Sequence, residues 1–304
     1  MKSVVADTSD FMIVRASATD TLGSLAEQYL RDRTLTPVLE DVNGSQISPG
    51  QLVILPKRAF KRSAVYTDGY QVVPILCYHQ FTNGRPRNRM QVTADAFEAQ
   101  MRYLIDNGYR VVSLRELEGF LNGSRPLPKR SVVVTIDDGY SSVYDIAFPI
   151  LKRLGLKATL FVYTDFVGGG LSLSWDKMRE MDRSGVIDIQ SHSKSHTSMS
   201  PNGSERVGPA YIKRIQSEID VPDGILSDRL GEPIRHFAYP YGDTSDEAVS
   251  LLQDENYTIA VTVQRGGNAS FTHPLLLRRD MIYSDHTLQD LQKYLSVYRD
   301  VALK

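Results

Sequence analysis

Ser131-Val-Val-Val-Thr-Ile136-Asp137-Asp138-Gly139 is the stretch from which the rest of the chain can be read. Val132 to Ile136 is an unbroken β-branched run, which favours a strand buried on both faces. It ends in two adjacent carboxylates. Charge at the end of a buried strand is costly unless a metal, a partner charge or several hydrogen bonds satisfy it. Asp-Gly after a strand is, alone, a hairpin-turn signal. The next residues do not return as a strand, because Val143, Ile146, Ala147, Ile150 and Leu151 recur at helical spacing and the pattern stops at Gly155. Lys157-Ala-Thr-Leu-Phe-Val-Tyr-Thr164 then reads as a further strand. The unit is β-α-β, with Asp137 and Asp138 on its first loop. In parallel α/β folds, chemistry gathers at the carboxyl ends of strands.

Two further constellations come after strand-like runs. His192-Ser-Lys-Ser-His196 comes after Val186-Ile-Asp-Ile-Gln190. Two histidines four apart are a weak metal signal alone. Joined to a carboxylate at a neighbouring strand end, they form a three-ligand set that suits zinc or a similar divalent ion and leaves a position open. Phe237-Ala-Tyr239-Pro240-Tyr241-Gly242 precedes a helical stretch from Ser245 to Gln253. By itself it is a Pro-Gly turn with tyrosines at its rim.

The three motifs in this order resemble the polysaccharide deacetylase family, carbohydrate esterase family 4, named for the NodB homology region. Thr135-Ile-Asp137-Asp138-Gly139 is similar to its first motif, His192-Ser193-x-x-His196 to its second and Tyr239-Pro240-Tyr241-Gly242 to its third. The resemblance covers about residues 70 to 300. Many members carry an arginine two residues before the proline, where this chain has Ala238. Pro74-Ile-Leu-Cys77-Tyr78-His79, with Phe97, Gln100, Met101, Tyr103, Leu104 and Asn107-Gly108-Tyr109, resembles the members that act on poly-N-acetylglucosamine and related exopolysaccharides. That subgroup brings the late histidine to the front of the domain, which gives His79 the general-acid role. The resemblance leaves Arg278 and Arg279 both open as replacements for the missing arginine; Arg279 is carried as a substrate-side residue.

The implied fold is α/β: a distorted (β/α)7-type barrel of the NodB homology kind over residues 71–304. Thr93–Asn107 and Leu114–Leu121 read as helices, Tyr109–Val112 and Tyr257–Val263 as strands. Residues 1–56 form a separate small β-α-α-β unit. Its strands are Phe11–Val14 and Gln51–Pro56, and its helices Thr21–Leu30, capped near Thr19 or Asp20, and Pro37–Val42. It resembles the LysM module, which binds N-acetylglucosamine-containing glycans, through Asp20-Thr21-Leu22, Leu25-Ala26, Asn43 and Ile47-x-Pro49-Gly50-Gln51-Leu52. A spacer without glycan affinity is the plainer reading of the same unit. Residues 57–70, basic and aperiodic, read as a linker.

Composition excludes several classes. The net charge of -1 over 304 residues, with no polybasic run, gives nucleic acid no electrostatic footprint. No apolar stretch reaches the length of a membrane span, and Met1 to Phe11 lacks the apolar core of a signal peptide. An envelope substrate places the mature chain outside the cytoplasm, in the periplasm, cell envelope or secreted. The single cysteine, Cys77, rules out an internal disulfide and a cysteine-rich structural zinc site. A monomer is expected.

The activity implied by the resemblance is metal-dependent hydrolysis of the N-acetyl group of N-acetylglucosamine in an extracellular or cell-wall polysaccharide, releasing acetate. Asp138, His192 and His196 would hold a divalent ion, zinc first and cobalt or nickel as alternatives. Asp137 would be the base and His79 the acid, and the Tyr241 backbone N–H would hold the oxyanion. Tyr239, Pro240 and Arg279 are expected at the substrate, with Trp175 forming either an apolar wall of the site or part of the core. Two rivals stand beside this. A glycosidase needs carboxylates facing each other about 5 Å or more apart, which adjacent residues do not provide. A catalytically inactive glycan-binding protein of the same fold would need no base at 137.

Overall fold

The structure, a computed structural model, describes residues 4–8, 11–57, 64–66 and 69–301. Part of the 57–70 linker therefore lies outside the described residues.

The larger unit is built on a parallel sheet. Its strands are β1 Ile75–Tyr78, β2 Arg110–Val111, β3 Ser131–Ile136, β4 Ala158–Val162, β5 Ile187–Ser191, β6 His236–Ala238, β7 Ile259–Val261 and β8 Asp280–Met281. They lie in the order β7-β6-β5-β4-β3-β1-β8, with β2 paired to the start of β3. A parallel bridge from Val261 to Leu277 draws the segment before β8 against β7, so the sheet curls back on itself. The outcome is the distorted barrel of the NodB kind, with β2 reduced to two residues.

Side chains alternate across each strand, and the two sets have different partners. Val132, Val134 and Ile136 of β3, with Leu160 and Val162 of β4, pack outward on Phe97, Met101, Leu151, Tyr211, Ile215 and Leu252 from the surrounding helices. Val133 points inward with Ile75, Phe161, Ala238, Ile259 and Val261. Leu114, Leu117 and Phe120 of the helix Leu114–Leu121 join that inner cluster and fill the barrel from its amino-terminal end. Each such side chain contributes about 1.5–3 kcal/mol on burial. The inward parity of β3 continues through Thr135 to Asp137, and that of β1 through Cys77 to His79. The catalytic candidates are the top of the barrel's own interior columns.

Helix ends follow the capping rules. Thr93, Ser113, Ser174, Ser245 and Thr287 each accept a backbone N–H at a helix start. The helix expected over 142–154 opens with a wider, π-type turn, Val143–Ala147, before Phe148–Leu154. Gly69–Gln71, at the end of the expected linker, pairs antiparallel with Tyr298–Asp300.

The first unit has one strand more than the β-α-α-β expectation. Val4–Asp7 pairs with Phe11–Arg15, which pairs with Leu52–Pro56, all antiparallel. Leu22–Leu25 runs into a π-type turn Ala26–Leu30, and Thr36–Asn43 is the second helix. Thr21 is the cap, in a reciprocal pair with Ser24, whereas Asp20 accepts from Ser17. Leu25, Leu39, Val53 and Leu55 form a core of the unit's own.

Candidate active site

β3 delivers Asp137 and Asp138 on a tight left-handed turn: φ is 77° at Asp138 and 86° at Gly139. A Cβ at Gly139 would sit 3.0 Å from Val162 Cγ1, so the close approach of β4 requires glycine there. Ser193, His196 and Tyr241 also hold positive φ. Backbone of this kind is unfavourable for residues with side chains and clusters where function demands it.

Asp138, His192 and His196 converge. Asp138 Oδ1 lies 3.6 Å from His192 Nε2 and 3.5 Å from His196 Nε2. Ligands about 2.1 Å from a tetrahedral ion are about 3.4 Å apart, so these donors fit a divalent cation. Nδ1 of His192 is 2.7 Å from the Ala238 carbonyl, a partner that fixes the ring with Nε2 toward Asp138. Burial lowers the His192 pKa to about 3, against the pull of Asp137, and lowers that of His196 as well. Neutral imidazoles are what a metal binds. Asp138 is pushed up to about 7 by burial and then by the charge of Asp137, with Arg279 opposing. A carboxylate in that state gains most from a bound cation.

Asp137 is handled differently. Arg279 Nη1 and Nη2 donate to Asp137 Oδ1 and Oδ2, both at 2.7 Å. The same guanidinium donates to Thr262 O and Thr135 Oγ1, and Arg279 is fully buried. Burial would raise Asp137, but the Arg279 charge and hydrogen bonds, with His192 and His79, together outweigh it and hold the carboxyl well below the usual range. Arg278 is exposed. Geometry thus chooses between the two arginines. The expected sugar contact for Arg279 is corrected, since its donors are all directed at the barrel interior.

His79 follows β1 beside Asp137, and its Nδ1 is buried without a hydrogen-bond partner. Burial brings its pKa down to about 4, with Asp137 opposing. Cys77 Sγ donates to Asp137 Oδ2 at 3.4 Å. Cys77, His79 and Asp137 bring their ligand atoms close enough for a second ion, but the guanidinium on Asp137 already supplies the positive charge.

The third motif splits. Tyr241 is 64% exposed, and its ring meets His196 with centroids 4.6 Å apart. Tyr239 is buried, donates to Leu275 O and packs on Phe237, and Pro240 is buried too. Sugar contacts through Tyr239 and Pro240 are corrected for that reason: both support the turn from below. Trp175 begins the helix Trp175–Arg183, packs on the core and lies under the Arg229 guanidinium, so the core alternative describes it. The sequence reading missed Tyr163 and Phe166. Their rings stack at 5.1 Å, and Tyr163 also lies 5.1 Å from His196. Tyr163 directly follows β4, and position at a strand end was the available signal.

Comparison with known proteins agrees with this geometry. The family model described as polysaccharide deacetylase matches residues 124–260. YxkH of Bacillus subtilis is 31% identical over 194 residues, covering 64% of this chain and 65% of its own length. The poly-beta-1,6-N-acetyl-D-glucosamine N-deacetylase of Escherichia coli is 28% identical over 60% of this chain but only 32% of its own length. The chain thus spans about two thirds and one third of these curated relatives. Among solved structures, the Streptococcus pyogenes deacetylase PplD, in complex with acetate, superposes with a TM-score of 0.67 at 26% identity, over 74% of this chain and 98% of that one. The strand ends that carry Asp137, Asp138, His192, His196 and Tyr241 all fall within the residues that match the polysaccharide deacetylase family model.

Proposed function

We propose that the chain hydrolyses the N-acetyl groups of N-acetylglucosamine residues in an extracytoplasmic polysaccharide, with poly-β-1,6-N-acetylglucosamine as the leading substrate. The observation that carries this is Asp137, a buried carboxylate kept ionised by Arg279 beside three convergent metal-binding side chains. A divalent ion held by Asp138, His192 and His196 would supply Lewis-acid polarisation of the acetyl carbonyl and a lowered pKa for water. Asp137 takes the proton as water adds to the carbonyl carbon. The Tyr241 N–H faces the oxyanion, an interaction worth about 2.7–4 kcal/mol per donor. His79 gives its proton to the departing amine nitrogen as the C–N bond breaks. With a pKa of about 4 in the free chain His79 is neutral at pH 7, so the proton it passes on is one it gains in the loaded site during turnover. Acetate and the free amine are the products.

A glycan-binding protein without activity would need neither the ionised base nor the arginine that maintains it. The test is acetate release from defined glycans, poly-β-1,6-N-acetylglucosamine, chitin oligomers and peptidoglycan fragments, with zinc, cobalt or nickel added or chelated. Asp137→Asn should abolish release with zinc content unchanged. Activity that survives this change would overturn the base assignment, and no release from any glycan would favour the binding-only reading.

A further inference from the structure

The two histidine ligands are not held equally. His192 is fixed by the end of β5 and by Ala238 O, whereas His196 lies four residues on, in a loop with left-handed backbone at Ser193 and at His196 itself. One residue on another element grips the middle of that loop. Glu218, buried in the helix Pro209–Leu230, accepts from Ser195 N at 2.8 Å through Oε2 and from Ser195 Oγ at 2.7 Å through Oε1. Its backbone carbonyl accepts from Lys194 N at 3.1 Å. That carbonyl is free for a simple reason: four residues on, where a helical N–H would claim it, stands Pro222, which has none. From the opposite side, Thr164 N and Asp165 N donate to the carbonyls of Ser193 and Lys194.

We propose that Glu218 and Pro222 form a latch that positions His196 for the metal, Glu218 through its carboxylate and Pro222 by leaving the Glu218 carbonyl to the loop. The inference rests on the reading of Asp138, His192 and His196 as a metal centre. Partners that orient ligands in this way typically alter metal affinity by about 10–100-fold when lost.

The measurement is zinc affinity of the full chain, by competition with a chromophoric chelator, together with the melting midpoint of the metal-free protein. Glu218→Gln keeps the size but turns an amide N–H₂ toward a loop donor, and should weaken zinc at least about tenfold. Pro222→Ala returns an N–H to the helix, which then competes for the Glu218 carbonyl. It should weaken zinc several-fold without lowering the melting midpoint of the metal-free chain, a separation that a merely structural role does not give. Folded Glu218→Gln and Pro222→Ala variants with wild-type zinc affinity would overturn the latch. If Glu218→Gln does not fold, Pro222→Ala and Ser195→Ala decide in the same way. A wild-type chain that binds no zinc would remove the metal centre, and the latch with it, and so marks failure of the underlying reading instead.

Discussion

Arg279 and Asp137 face each other buried inside the barrel, and such a pair is worth most when the loss of one partner strands the other. Arg279→Met leaves a buried carboxylate whose one remaining hydrogen-bonded side chain among the described residues is the Cys77 thiol. It should destabilise the fold by about 3–5 kcal/mol in urea denaturation at neutral pH. Because Asp137 is held below its unfolded value, this contribution is complete above about pH 4 and is lost as pH falls through the depressed folded value. The same direction governs the base. Arg279→Lys, which loses the two-pronged contact, should raise the Asp137 pKa and move the acid limb of kcat/KM to higher pH. An unmoved limb would show that Arg279 does not tune the base. His79 must hold its proton to act, so its limb is the alkaline one, set by its pKa in the loaded complex and read in kcat, and His79→Ala should lose it. A retained alkaline limb would assign the acid role to another group.

At the level of elements, much of the site was legible because strand, loop and helix each left a local mark. The β-branched run before Asp137, the short apolar run before His192 and the Pro-Gly turn at 240–242 placed each motif at a strand end. What was not legible depends on contacts distant in sequence. Arg278 and Arg279 are chemically equal neighbours, and only the inward parity ahead of β8 tells which one reaches Asp137, 142 residues away. Tyr239 and Tyr241 flank one proline, yet a left-handed backbone at Tyr241 sends one ring outward while the other stays in the core. Val4–Asp7 has too little alternation to announce a strand, and pairing with Phe11–Arg15 makes it one. The turn at Tyr241 also carries its own test. Gly242 has φ 75°, and a Cβ there would lie 2.5 Å from Val263 Cγ2 and 2.7 Å from Val263 N. Gly242→Ala should cost at least about 1–3 kcal/mol by thermal or urea unfolding, with kcat falling more than metal affinity, since Tyr241 N–H moves and the three ligands do not. Equal losses in both would mean that the turn only supports the fold.

Across the whole molecule, the first unit meets the barrel on the side away from the site. Glu40 pairs with Arg110 at 3.3 Å, and Asp41 Oδ2 accepts from Lys129 N at 3.1 Å. Burial raises the pKa of both carboxyls, with Arg110 opposing for Glu40 and the Lys129 N–H for Asp41. Arg110 opens β2 and Lys129 precedes β3, so this contact lies at the amino-terminal ends of the strands, whereas Asp137, His192 and Tyr241 follow the carboxyl ends. A glycan-binding unit there cannot hand a sugar directly to Asp137. Its effect would be to keep the enzyme on a polymer while the barrel acts on another stretch or strand, a gain in effective concentration. Removal of residues 1–56 should therefore leave kcat/KM on short N-acetylglucosamine oligomers within about twofold, as for independent sites, while co-sedimentation with insoluble N-acetylglucosamine polymer falls away. Unchanged co-sedimentation would make the unit a spacer, and a collapse of oligomer turnover in a folded truncated chain would mean that the distant contact shapes the site after all.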